Sequence, residues 1–153
     1  MITTKAGDGG KTLVKGVMMD KDSALIEALG EIDELQAVLL IVDLRDIAED
    51  LVKIMGELGC GVRFSECALR TTFMEEEIKK GENELDAQKK FLLFKKEEAI
   101  YLNWVRTVAR RIERRMAGLS KMSEVRGDLL KYFNRLSDYL FILARQQEDQ
   151  LGG

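Results

Sequence analysis

The chain has 153 residues, enough for one domain with a sizeable core. Apolar residues make up 46% and charged residues 33%, which excludes intrinsic disorder, and a net charge of −3 gives no global pull toward nucleic acid or an anionic membrane. With no histidine, the usual general base is missing, as is the commonest ligand of zinc and non-haem iron; with no proline, nothing interrupts long helices.

Residues 1–21 read as a loop-like segment rich in Gly, Thr, Lys and Asp, with one apolar patch at Leu13 and Val14. They contain no apolar signal core, and no run anywhere is long enough to span a bilayer. Gly10-Lys11-Thr12 imitates the end of a P-loop, but Lys5 stands where a Walker A sequence requires glycine, and no buried strand precedes it. The glycines can still turn backbone N–H groups toward an anion, and Lys and Thr add donors. A floppy terminal tail is the competing reading.

Ser23 caps a helix expected to run to about Leu44, with Glu27 in its first turn. The later half, Ala37 to Val42, is apolar all round, which predicts a central position in a bundle. Ile26, Gly30, Asp33, Ala37 and Leu40 share a face, so Asp33 is a carboxylate among small and apolar neighbours. It sits either at a wet rim or opposite a cation on another helix or another subunit.

Asp46 to Cys60 reads as a second helix with Leu51, Ile54, Met55 and Leu58 as its stripe, ended by Gly59 and Gly61. A loop to about Ala68 follows, then a charged, peripheral third helix from Met74 to about Lys89. Its Glu75-Glu76-Glu77 run reads as a solvated face, because a di-iron bundle uses Glu-x-x-His pairs. Cys60 and Cys67 read as reduced residues of a cytoplasmic protein. Phe91-Leu92-Leu93-Phe94 forms an aromatic joint before a fourth helix, Glu97 to Leu119. A fifth runs from about Glu124 to Gln150, with Tyr132, Phe133, Leu136, Leu140 and Leu143 inward. Asn134, Asp138 and Arg145 lie along a seam beside Arg135 and Ser137, either as a site, as a subunit contact or as a satisfied polar network. Short linkers and the absence of repeats predict one all-α domain over 1–153, a five-helix up-and-down bundle.

The fourth helix carries the densest charge signal. Val105 to Arg115 holds five of the eleven arginines. Val105, Val108, Ala109, Ile112, Met116 and Leu119 form its apolar stripe, while Arg106, Arg110, Glu113 and Arg114 form a second stripe to one side. Such a ladder repels itself unless an anion faces it, and guanidinium donors match phosphate or carboxylate oxygens in pairs. The alternative is a solvated basic face.

Three segments together resemble the PduO-type ATP:corrinoid adenosyltransferases. They are T-K-A-G-D-G-G-K-T near the N-terminus, E-A-L-G-E-I-D-E-L at Glu27–Leu35, and R-T-V-A-R-R-I-E-R-R followed by Y-F-N-R-L-S-D-Y-L-F-I-L-A-R. Order and spacing agree over nearly the whole chain. The resemblance implies a homotrimeric five-helix bundle that moves the 5′-deoxyadenosyl group of ATP onto the cobalt of a reduced corrinoid, releasing triphosphate. It implies ATP sites between subunits, Mg²⁺ with the nucleotide, and a reductase as a further partner. By similarity, Thr4, Lys5, Gly7, Asp8, Gly10 and Lys11, with Lys21, wrap the nucleotide from one subunit. Arg106, Arg110, Glu113 and Asn134 reach it from the neighbour, Asp33 pairs with Arg106 across the interface, and Phe91 lies against the corrin.

One departure is specific. The family continues that Phe as F-I-L-P-G-G, whereas this chain reads Phe91-Leu92-Leu93-Phe94-Lys95-Lys96. The lost Pro-Gly-Gly turn bears on the corrinoid side more than on the ATP side. It leaves a second reading, a trimeric bundle that binds ATP or a corrinoid without catalysis, and a third, a structural bundle in which the arginines only hold a trimer together.

Overall fold

The computed structural model describes residues 2–20, 23–85 and 92–150. Five helices form the bundle: α1 Ala24–Ile41, α2 Arg45–Cys60, α3 Cys67–Glu84, α4 Glu97–Ser120 and α5 Gly127–Asp149. α1 lies against α2 and α4, and α5 lies against α4 and α3. Ser23 caps α1 as expected, its Oγ accepting from the Ile26 backbone N–H at 3.4 Å. α2 ends at Gly61, with φ 77°. The anticipated stripe of α4 is buried throughout, from Val105 to Leu119. Tyr132, Phe133, Leu136 and Leu140 of α5 meet it in the core, with Leu143 packed alongside. Among the described residues no helix is long and apolar enough to cross a membrane.

Three expectations need correction. The N-terminal segment is not all loop: Lys11–Val14 (β1) and Val17–Asp20 (β2) pair antiparallel, with Val14 opposite Val17. Lys15 and Gly16 turn the chain with φ 50° and 76°. Positive φ at both residues is the signature of a type I′ hairpin turn, which glycine adopts without steric cost. Buried Val14 and a Lys15 N–H donated to the Gly59 carbonyl at 3.2 Å seat the hairpin on the end of α2.

The second correction concerns α1, which is not surrounded. Ala28, Ile32, Leu35, Val38 and Leu39 are buried, whereas Ala37, Leu40 and Ile41 are exposed. The apolar face opposite the core lies open in the single chain.

Third, α3 begins at Cys67, seven residues before Met74. Polar residues point inward in its first turns, which hides the apolar period. Arg70 Nε donates to Asp50 Oδ2 at 2.7 Å, and Thr71 Oγ1 returns to the Cys67 carbonyl at 2.9 Å. The Glu-rich run does face outward, with Glu75 paired to Lys131 and Arg135. The expected extension of this helix to Lys89 falls on residues 86–90, outside the described residues. Both cysteines are free, Cys67 buried and Cys60 exposed.

Candidate functional site

Between α4 and α5 runs a groove of about 440 Å³ lined by Arg106, Arg110, Glu113, Asn134, Ser137, Asp138 and Phe141. The helical period puts Arg106, Arg110 and Glu113 on one edge of α4, and Asn134, Ser137, Asp138 and Phe141 on the facing edge of α5. Burying the apolar stripes brings these polar edges together along the helix–helix seam.

Each wall is organised by specific bonds. Glu113 ties the helices: its Oε1 accepts from Asn134 Nδ2 at 2.8 Å, and its Oε2 lies 3.1 Å from Ser137 Oγ. The serine has one hydroxyl hydrogen and an alternative acceptor, the Phe133 carbonyl at 3.3 Å. The carboxylate is nearer and charged, so it is the stronger partner. Asn134 Oδ1 in turn accepts from Arg135 Nη1 at 2.6 Å. Arg106 donates Nε to Asn103 Oδ1 at 2.9 Å and lies over the Phe141 ring, 5.8 Å from its centroid. Burial, and then the neighbouring charge of Arg110, pull the Arg106 guanidinium below its ordinary value. Burial pushes the Asp138 carboxyl up, aided by Glu113 and Glu82 and opposed by Arg135 and Arg110.

The five-arginine cluster divides into two groups by ion-pair partner. Arg111 pairs with Glu34, and Arg115 with Glu31 at 3.0 Å, fastening α4 to α1. Among the described residues no carboxylate forms an ion pair with Arg106, Arg110 or Arg114, and the first two line the groove. Like charges held side by side at a partly desolvated wall favour an anion.

Of the residues expected at the site, Arg106, Arg110, Glu113 and Asn134 are thus brought together. Asp33 is exposed on α1 and makes no ion pair with Arg106 within the chain. Thr4, Lys5, Asp8, Gly10 and Lys11 are exposed and Gly7 half-buried; none of them lines the groove. Their turn is closed by Asp8 N–H to Lys5 O and Gly10 N–H to Gly7 O, each 3.2 Å. Nearby Thr12 lines a second hollow, of about 460 Å³, with Ile26, Glu27, Gly30, Glu31 and Glu34. Lys21 and Phe91 lie outside the described residues. In the joint before α4, Leu93 is exposed, Phe94 packs on the core, and the Lys95 and Lys96 N–H groups donate to Glu148 at 3.0 Å. Arg145 of the anticipated seam is buried away from the groove lining and pairs with Asp149.

Sequence reasoning missed Asn103 and Phe141. The signal was there in their spacing: Asn103 precedes Arg106 by three residues and Phe141 follows Ser137 by four, so each shares a face with a site residue.

The bundle thus carries a polar groove in which Arg106 and Arg110, without ion-pair partners among the described residues, stand beside a glutamate tied to asparagine across the seam. The chain belongs to the cobalamin adenosyltransferase family, whose pattern matches residues 2–147. It is 37% identical to a corrinoid adenosyltransferase of Bacillus subtilis, over 93% of this chain and 83% of that one. It is 31% identical to one of Citrobacter freundii, over 96% and 94%. Its fold is similar to that of a PduO-type ATP:corrinoid adenosyltransferase from Lactobacillus reuteri, a phenylalanine-to-histidine variant complexed with cobalamin and ATP. The TM-score is 0.89 at 28% identity, covering 97% of this chain and 91% of that one. An arginine-to-lysine variant of the same enzyme, complexed with ATP, gives 0.88 at 29%, covering 96% and 94%.

Proposed function

We propose that this chain transfers the 5′-deoxyadenosyl group of ATP to the cobalt of a reduced corrinoid, with triphosphate as the leaving group. The observation that carries the reading is the groove itself, where Arg106 and Arg110 lack ion-pair partners among the described residues, on a chain of this family. The related Lactobacillus reuteri enzyme is complexed with both cobalamin and ATP.

The chemistry suits the side chains. Cobalt(I) supplies the electron pair that forms the bond to C5′ of the ribose. The C5′–O5′ bond breaks, and its pair leaves on triphosphate. No protein base is required, so the lack of histidine is no obstacle. What the protein must supply is stabilisation of growing negative charge, the task of fixed guanidinium and N–H donors. A charge-assisted hydrogen bond contributes roughly 1.5–3 kcal/mol, so loss of one costs about tenfold to a hundredfold in rate. Among the described residues no group of three carboxylates or thiols gathers to hold a metal ion. In this reading Mg²⁺ enters with the nucleotide, held mainly by its phosphates and water.

The nucleotide lies between subunits of a homotrimer in this reading. Thr4, Lys5, Gly7, Asp8, Gly10, Lys11 and Lys21 wrap it from one subunit. Arg106, Arg110, Glu113 and Asn134 contact it from the neighbour, with Arg106 paired to Asp33 of the partner subunit. The open face of α1, with Leu40 40% and Ile41 60% exposed, supplies surface for that contact. Phe91 lies against the corrin, and a reductase delivers the electron. The test is the absorbance change of cobalt–carbon bond formation with ATP and chemically reduced corrinoid. The reading expects turnover that Arg110→Ala lowers at least tenfold. ATP binding by calorimetry without product would instead select the non-catalytic bundle, a reading favoured only by the Phe94-Lys95-Lys96 joint.

A further inference from the structure

Arg106 is held in two different ways, by one residue of its own helix and by one across the seam. Asn103, one turn earlier on α4, accepts from Nε at 2.9 Å. Phe141, across the seam on α5, offers its ring face to the guanidinium at 5.8 Å. Both are half-buried, as is Arg106, and Phe141 also lines the groove.

A free arginine side chain samples many rotamers, and ordering it on ligand binding lowers affinity. A bond to Nε restrains the rotation of the planar group, and the attraction of an aromatic face within about 6 Å keeps the cation on that side of the groove. Nη1 and Nη2 make no hydrogen bond among the described residues, so the two parallel donors that match a carboxylate or phosphate remain available. We infer that Asn103 and Phe141 are positioning residues that set the Arg106 fork for its anionic partner before the nucleotide arrives. This rests on the assignment of Arg106 to the nucleotide site.

The test is ATP affinity by calorimetry in the absence of corrinoid, with thermal unfolding followed in parallel. Asn103→Ala and Phe141→Leu each weaken ATP binding about threefold to tenfold, the cost of ordering one long side chain. Phe141→Tyr keeps the ring face and loses less affinity than Phe141→Leu. In an Arg106→Lys background, which lacks the fork, Asn103→Ala and Phe141→Leu cause no further loss. Full ATP affinity in Arg106→Lys overturns the assignment of Arg106 to the nucleotide. A loss in Arg106→Lys with undiminished affinity in Asn103→Ala and Phe141→Leu overturns the seat alone. Additive losses in the double variants also overturn it, because the two residues would then act independently of the guanidinium.

Discussion

Asn134 on α5 donates Nδ2 to Glu113 Oε1 on α4 at 2.8 Å, and this bond ties one of the groove's two carboxylates across the seam rather than to an arginine of its own helix. Glu113 lies three residues after Arg110, within reach of an intrahelical ion pair. Tied instead across the seam, it leaves Arg110 open to an incoming anion. Asn134→Ala frees Glu113 to compete for that guanidinium. We expect the KM for ATP to rise about threefold to tenfold, with stability altered by less than about 1 kcal/mol because the pair is solvent-exposed. Steady-state kinetics alongside urea unfolding separates the two effects.

A second set of polar groups lies away from the groove, around a buried carboxylate. Asp50 is 3% exposed and accepts from both Arg70 Nε at 2.7 Å and Tyr132 Oη at 2.9 Å. Burial pushes its carboxyl up, and the bonds from Arg70 and Tyr132 oppose that shift. Tyr132→Phe removes one donor and costs about 1–2 kcal/mol. Arg70→Leu leaves a buried carboxylate without its cation and costs about 3 kcal/mol, at the lower end for a buried pair because Arg70 is partly exposed. Urea unfolding of purified variants reads both. Neither change alters ATP affinity once the protein is folded.

That same network explains why the start of α3 was hard to read. Arg70 and Thr71 occupy inward positions where the helical period calls for apolar residues, so the period becomes legible only at Met74. The hairpin escaped notice for a different reason: a Lys-Gly turn carries a weaker signal than Asn-Gly, and its strands are four residues each. In contrast, the Ser23 cap, the buried stripe of α4 and the arginine edge followed from local chemistry and period alone. Of the site, the α4 and α5 wall was legible and is assembled by one chain. The glycine-rich segment does not join that wall within the chain.

Helices α3 and α5 approach closely at Gly81. A Cβ there would stand 2.2 Å from Ile142 Cγ2. Isoleucine is branched at Cβ and stiff about χ1, so it cannot swing aside freely. Gly81→Ala therefore costs about 1–3 kcal/mol through overpacking, despite the better helix propensity of alanine. Adding Ile142→Ala removes the clashing methyl, so the double variant is more stable than the sum of the two single changes predicts. Chemical denaturation of the four proteins completes the cycle.

Glu148 gives the acid limb a testable sign. The backbone N–H groups of Lys96 and Lys95 donate to it and hold its carboxyl below the ordinary value of 4.5. A carboxylate with a lowered folded pKa contributes stability that is full above the unfolded value and is lost as pH falls through the folded one. Glu148→Gln should therefore be less stable than wild type at pH 7. The difference should shrink steadily below 4.5, as seen in thermal unfolding at a series of pH values.

The most direct test of a nucleotide site shared between protomers is complementation. Lys5→Ala removes a charge from the glycine-rich side and Arg110→Ala one from the groove, and each alone is expected to be nearly inactive. Equal amounts of the two chains, unfolded together and reassembled at random into trimers, contain interfaces where an intact segment meets an intact groove. Activity should return to about a quarter of wild type, the share of such interfaces in a cyclic trimer. If the mixture stays as inactive as its components, the two halves of the site act within one chain and the shared site is contradicted.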